Sequence, residues 1–169
     1  MLNFSYKGSH KSILHLKNSG YIAINRLDYY GIIDVGCIGP DYIPGHGHAD
    51  VLSFELSIFK QRVFVNSGTS RYGSSQERLR QRGTSAHNTL EINGEDSSEV
   101  WSGFRVARRA KPIDLSIDSS NNKLKVKCSH DGYKRLRGNP IHSRVWNFED
   151  KGFYIHDFIE GHYDYANAR

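Results

Sequence analysis

Residues 52–58 read LSFELSI. Leu52, Phe54, Leu56 and Ile58 fall on one side of an extended chain, and Ser53, Glu55 and Ser57 fall on the other, because successive side chains of a strand point to opposite faces. That alternation predicts a strand with one buried face and one wet face. After the short break FKQR comes VFVN at 63–66, so residues 51–66 are expected to form a hairpin.

The same pattern recurs outward in both directions. YIAIN (21–25), YGIIDVG (30–36), NTLEI (88–92), DLSID (114–118), KLKVKCSH (123–130), SRVWNF (143–148) and GFYIHDFI (152–159) all read as strands. Turn-forming stretches such as NGED, SSNN, HDGY and EDKG separate them. Many short strands at hairpin spacing predict an all-β, antiparallel, two-sheet β-sandwich. Residues 74–82, SSQERLRQR, are too few to cover a sheet and are read as a loop with one helical turn. No linker or internal repeat divides residues 1–169, so one domain is expected.

With 169 residues, 37% of them hydrophobic, the chain is long and apolar enough to bury a core. No apolar run approaches the roughly 20 residues of a membrane span, and the start MLNFSYKGSHKS lacks the apolar centre of a signal peptide. Cys37 and Cys128 have no CxxC spacing and read as two buried thiols. The net charge of +5 favours a polyanionic partner, either nucleic acid or an acidic polysaccharide. An RNP-like aromatic pair and a basic helix are both missing, which argues against nucleic acid. Basic clusters stand at 78–82, 105–109 and 134–137, and the first two flank His87.

Just before the opening stretch lies GHGHAD, residues 45–50. If the strand extends back through it, His46, His48 and Asp50 share the face of Leu52 and Phe54, with the imidazoles about 6.5–7 Å apart. Two such rings can converge on one ion or divide between an ion and a substrate. His87 in RGTSAHNTL and Asn66 at the end of the hairpin are further candidates. The alternative is that His48 and His87 are hydrogen-bonded residues at strand ends and Asn66 caps a turn. Histidines 10, 15, 130, 142, 156 and 162 have no comparable neighbours and receive no role.

Two ordered strings, GHGHADVLSFELSIFKQRVFVNSGTSRYG (45–73) and ERLRQRGTSAHNTLEINGEDSSEVWSGFRVARRAKP (77–112), resemble the C-terminal domain of the heparinase II/III-like polysaccharide lyases. The resemblance extends over about residues 20–160 and is densest from Gly45 to Pro112. It implies a supersandwich-like β-domain that packs against an N-terminal α/α toroid, with the active site between the two. It also implies β-elimination next to a uronic acid in an acidic polysaccharide, and a periplasmic or secreted location.

By the same resemblance His46 faces the cleft as the catalytic residue of this domain, and His48, Asn66 and His87 form a structural zinc site. Asn66 stands where the family usually has Asp, which removes a charge that helps hold a dication and predicts a weak or absent zinc. Tyr72, Arg82, Trp101 and Arg105 fall in the same block and are expected to contact a sugar acid. The toroid would carry the remaining catalytic groups, so this chain is read as a fragment of a two-domain protein with little activity alone. The competing expectation is a carbohydrate-binding or scaffolding module without chemistry of its own.

Overall fold

The computed structural model describes residues 12–26, 28–120, 123–149 and 152–169. His10, the start of the chain and parts of the SSNN and EDKG turns lie outside the described residues. Five strands form an antiparallel meander: β1 (Ser12–Leu16), β2 (Tyr21–Asn25), β3 (Tyr29–Asp34), β4 (Phe54–Ile58) and β5 (Gln61–Phe64). A short helix, α1 (Gln76–Arg82), and three short strands, β6 (Leu90–Ile92), β7 (Val100–Trp101) and β8 (Arg105–Val106), follow. The second large sheet is built from β9 (Pro112–Ser120), β10 (Lys123–His130), β11 (Ile141–Glu149) and β12 (Gly152–Glu160), in the order β12-β11-β10-β9. β13 (Ala166–Ala168) pairs with β6, and β7 with β8.

Period-two patterning drives this arrangement. Along β10, Leu124, Val126 and Cys128 are buried, while Lys123, Lys125 and Lys127 face solvent. Ile22, Ile24, Ile33, Val35, Phe54 and Leu56 from the first sheet meet Leu124, Val126, Trp146 and Phe148 from the second in one core. Full burial of each such side chain contributes about 1.5–3 kcal/mol. The expected all-β, two-sheet sandwich is therefore what the chain forms. Cys128 is buried as expected, but Cys37 is exposed.

The short strands β1, β7, β8 and β13 are not among those read from the sequence, and two further elements depart from that reading. Residues 46–52 do not extend the strand: Pro44–His46 form a 3-10 turn, and pairing starts only at Phe54. Pro44, at the first turn of that element, has its φ fixed by its ring and favours the turn over extension. The chain then folds back at 50–53, where Ser53 N donates to Asp50 O (2.9 Å) and Leu52 takes φ +62. Leu52 is buried because of this turn, not because of strand alternation.

Residues 76–82 form a helix of nearly two turns, where a single turn was expected. Ser75 caps it by accepting from Arg78 N (3.1 Å). Its inward face is Arg78, Gln81 and Arg82, so it shows no apolar periodicity.

The hairpin turns on Phe59 and Lys60 alone, both in the left-handed region (φ +50 and +66), with Ile58 paired to Gln61. That is the geometry of a type I′ turn, in which Asn-Gly is favoured and Phe-Lys is strained. Replacing Phe59 and Lys60 by Asn and Gly is expected to stabilise the fold by about 1 kcal/mol, read as a higher urea midpoint at unchanged slope.

Candidate functional site: a histidine-lined cleft

The loop 44–50 carries three chemically active side chains, and packing fixes its course. A Cβ on Gly47 would come within 2.5 Å of Ile38 Cγ2, so only glycine fits. Arg82, 0% exposed, spends its guanidinium on backbone: Nε and Nη2 donate to Gly47 O (both 3.0 Å), Nη1 to Ser102 O (2.9 Å) and Nη2 also to Arg105 O (3.1 Å). Thr84 Oγ1 donates to Ala49 O (2.8 Å) and Thr89 Oγ1 to Val51 O (3.0 Å). The loop is thereby held against α1 and the segment 84–89.

His46 ends the 3-10 turn and lies edge-on to Tyr72 (6.0 Å between centroids) and Phe104 (5.6 Å). Those two rings stack on each other at 6.4 Å with 11° between planes, and Arg78 lies beneath both. Tyr72 is 71% exposed, so the ring pair presents an aromatic surface beside His46. His46, His48, Asp50 and Asn66 line one cleft of about 510 Å³, together with Asp34 and Tyr21.

On the inner side of His46, His48 and His87 approach to 5.2 Å between ring centroids. Arg78 Nη1 and Thr69 Oγ1 lie 3.2 and 3.4 Å from His48 Nε2. Burial pushes both imidazoles down to about 4, aided at His48 by the charges of Arg78 and Arg82 and at His87 by His48, so both rings are neutral at pH 7. Asn66 Oδ1 receives Gly68 N (3.2 Å) and lies 3.1 Å from His87 Nδ1. Since that oxygen only accepts, the His87 proton belongs on Nδ1, and a lone pair is left on Nε2. His87 Nε2 is buried and has no hydrogen-bond partner.

A carboxylate completes the group. Among the described residues, His48, Asp50 and His87 bring one ligand atom each to within 4.8 Å of one another, close enough to share a metal ion. A bare buried nitrogen, a second neutral imidazole and a carboxylate match the donor set of a three-ligand transition-metal site. Asn66, expected among the ligands, instead lies against the opposite nitrogen of His87, where an amide oxygen orients the ring as well as a carboxylate would. Asp50 lies in the quoted motif, but a strand reading gave it no work. Behind it, burial raises the Asp50 carboxyl to about 7, with the neighbouring Asp34 adding to the shift. Asp34 itself is raised to about 6 by burial, against the hydrogen bond from Gly36 N.

The remaining expected sugar contacts do not converge on this cleft. Arg82 is enclosed and committed to carbonyls, as described. Trp101 (54% exposed) pairs across β7 and β8 with Arg105, whose guanidinium lies 5.9 Å from its ring. Trp101 lines a separate depression on the exposed side of α1, among Glu91, Glu95 and Glu99. Phe104, Arg78, Asp34 and Asp50 are parts of the site that sequence reasoning left without a role.

A two-sheet sandwich with a histidine and carboxylate group in the loops beside its meander sheet defines the class of this domain. Residues 9–165 match the family described as "Heparinase II/III-like, C-terminal", and the chain belongs to that family. Its fold is similar to the structure titled "Crystal Structure of Heparinase III" (TM-score 0.67, 20% identity, 89% of this chain and 22% of that one). It is also similar to a mutant of heparan sulfate lyase HepC from Pedobacter heparinus (0.66, 18%, 88% and 22%) and to the heparinase III product BT4657 (0.65, 20%, 89% and 22%). The chain thus spans about a fifth of the length of these structures. No curated protein matches it.

Two stability predictions follow from the geometry. Arg82→Leu leaves three carbonyls without donors and is expected to cost about 2–4 kcal/mol in urea unfolding. The second concerns Asp34, whose folded pKa of about 6 lies above its ordinary 3.8. The folded chain therefore holds that proton longer than the unfolded chain, and stability is lost as pH rises between about 4 and 6. Asp34→Asn keeps the oxygen that accepts from Gly36 and removes this penalty. It is expected to exceed the parent by about 1–3 kcal/mol at pH 8 and to lose that advantage at pH 4.

Proposed function

We propose that this chain is the β-sandwich portion of a two-domain polysaccharide lyase that cleaves an acidic, uronate-containing chain by β-elimination. The carrying observation is the placement of His46: it lies edge-on to the Tyr72 and Phe104 rings and lines one cleft together with His48 and Asp50. Membership in the heparinase II/III-like family, and the names of the similar structures, support the substrate class.

In such an elimination a base removes the C5 proton, the C4–O4 bond breaks, a C4–C5 double bond forms and the leaving O4 takes up a proton. His46 serves the substrate by hydrogen bonding to the uronate carboxylate or relaying a proton, and Tyr72 packs against a sugar ring. The other acid and base groups come from a helical domain that closes the cleft. Zinc is the metal best suited to His48, Asp50 and His87, with Asn66 orienting His87. There it would supply a fixed positive charge and cross-link the loops. Because Asp50 provides the anion, Asn66 does not by itself weaken the site.

A binding module without chemistry is favoured by one feature: the stacked Tyr72 and Phe104 can hold a sugar with no catalytic group at all. The experiment joins this chain to the helical region encoded upstream and follows unsaturated uronate by ultraviolet absorbance on acidic polysaccharides. Activity is expected, and His46→Ala should lower it about 100-fold or more. Equal activity of the variant removes His46 from the mechanism. An inactive parent whose sandwich chain binds acidic oligosaccharides saturably would establish the binding module instead.

A further inference from the structure

β11 continues its period-two inward face past Phe148 and Trp146 into polar residues, Arg144 and His142, all four of them buried. Arg144 pairs directly with Asp157 of β12 in the strand register. The contact is a fork: Arg144 Nε to Asp157 Oδ1 at 2.7 Å and Nη2 to Oδ2 at 2.9 Å. His142 Nε2 reaches the same Oδ1 of Asp157 (2.7 Å), and behind His142 stands His130, whose Nε2 is 3.1 Å from His142 Nδ1.

The proton order along this row is determined. Gly132 N–H donates to His130 Nδ1 (3.2 Å), so His130 carries its proton on Nε2 and passes a hydrogen bond to His142 Nδ1. His142 must then carry its own proton on Nε2, facing Asp157. Burial keeps both rings neutral at pH 7. Burial alone would raise the Asp157 carboxyl, but the hydrogen bonds from His142 and Arg144 outweigh it and hold the group well below the usual carboxylate range. Asp157 is therefore a rigid anion, and Arg144 is locked to it.

The remaining nitrogen of Arg144 leaves the sheet. Nη1 donates to Leu52 O (3.0 Å) and to Asn88 O (2.6 Å). Asn88 directly follows His87, and Leu52 lies two residues after Asp50 in the left-handed turn (φ +62). One nitrogen anchored in the second sheet thus grips, from behind, both segments that present ligands to the cleft. Thr89 Oγ1 to Val51 O is a neutral tie between the same segments, whereas Arg144 is a charged one joined to the opposite sheet.

We infer that Arg144, fixed by Asp157, is a positioning residue for the His48, Asp50 and His87 site, holding Asp50 and His87 at ligand separation through the carbonyls of Leu52 and Asn88. The inference rests on the reading of that group as a metal site. Lysine at 144 can reach the carbonyls but cannot reproduce the fork on Asp157, so it should retain only part of the effect.

The test uses the 169-residue chain with Arg144→Met, Arg144→Lys and, as a core control far from the site, Leu124→Ala. Zinc affinity is measured by competition with a chelating dye, and the separation of the His48 and His87 rings is measured by nuclear Overhauser contact. Arg144→Met should weaken zinc binding about 10- to 100-fold, Arg144→Lys less, and Leu124→Ala less than twofold. If Arg144→Met does not fold, Asp157→Asn, which loosens the fork and keeps the arginine, is expected to give an intermediate loss. Parental affinity in folded Arg144→Met, or an equal loss in Leu124→Ala, overturns the inference. If the parent binds no zinc, the metal reading fails by itself. The ring contact then decides: its loss in the Arg144 variants but not in Leu124→Ala sustains the positioning role, and its persistence refutes it.

Discussion

Inward-facing carbonyl oxygens in the loops set the terms for the rest of this structure. Gly47, Leu52, Asn88, Ser102 and Arg105 all turn backbone oxygens toward buried guanidiniums, and all but Arg105, in β8, lie in irregular chain that has no sheet ladder to satisfy them. Two buried guanidiniums do so instead, Arg82 from α1 and Arg144 from β11. A planar fork with several donors suits this task, since one side chain reaches several oxygens that belong to different segments. The loops can then leave regular structure and still hold a single course.

The same constraint shapes the electrostatics of the cleft. Burial favours the neutral ring at both His48 and His87, and the positive charges of Arg78 and Arg82 add to it at His48. Asp34 and Asp50 sit on the other side, each raising the cost of the other's negative charge while burial raises both. The outcome is a site with a bare nitrogen lone pair on His87 next to carboxyl groups that carry unrelieved desolvation cost, an arrangement that a bound cation would relax. His46 stands outside this inner group, among aromatic rings at the open face.

Much of the architecture was legible along the chain. YIAIN and KLKVKCSH coincide with β2 and β10, and the other strand readings differ from the observed spans by a few residues at their ends. Alternation survives in those segments because one face of each packs on the shared core. It misled at 46–52, where Leu52 and Phe54 are both buried but a turn intervenes, so the pattern looks extended and the backbone is not. Helix α1 escaped for the opposite reason: its inward face is arginine and glutamine, which hydrophobic periodicity cannot register. His46, His48, Asn66 and His87 could be singled out from GHGHAD, VFVN and SAHN, and they do gather around one cleft or its wall. Trp101, close by in sequence, lines a different depression, with Arg105 packed against its ring.

The order of residues by itself determined the all-β class, the strand faces and the candidate histidines, because these depend on local periodicity and on side-chain chemistry. Tertiary structure decided which nitrogen of His87 is free, that Asp50 supplies the carboxylate beside it, and that Arg82 supports the loop from within. Those outcomes depend on contacts between segments 21 to 92 positions apart, such as His87 with Asn66 (21 positions), Arg82 with Gly47 (35 positions) and Arg144 with Leu52 (92 positions). No local pattern encodes such pairings; they exist only once both sheets have closed over the core and buried oxygens must find donors.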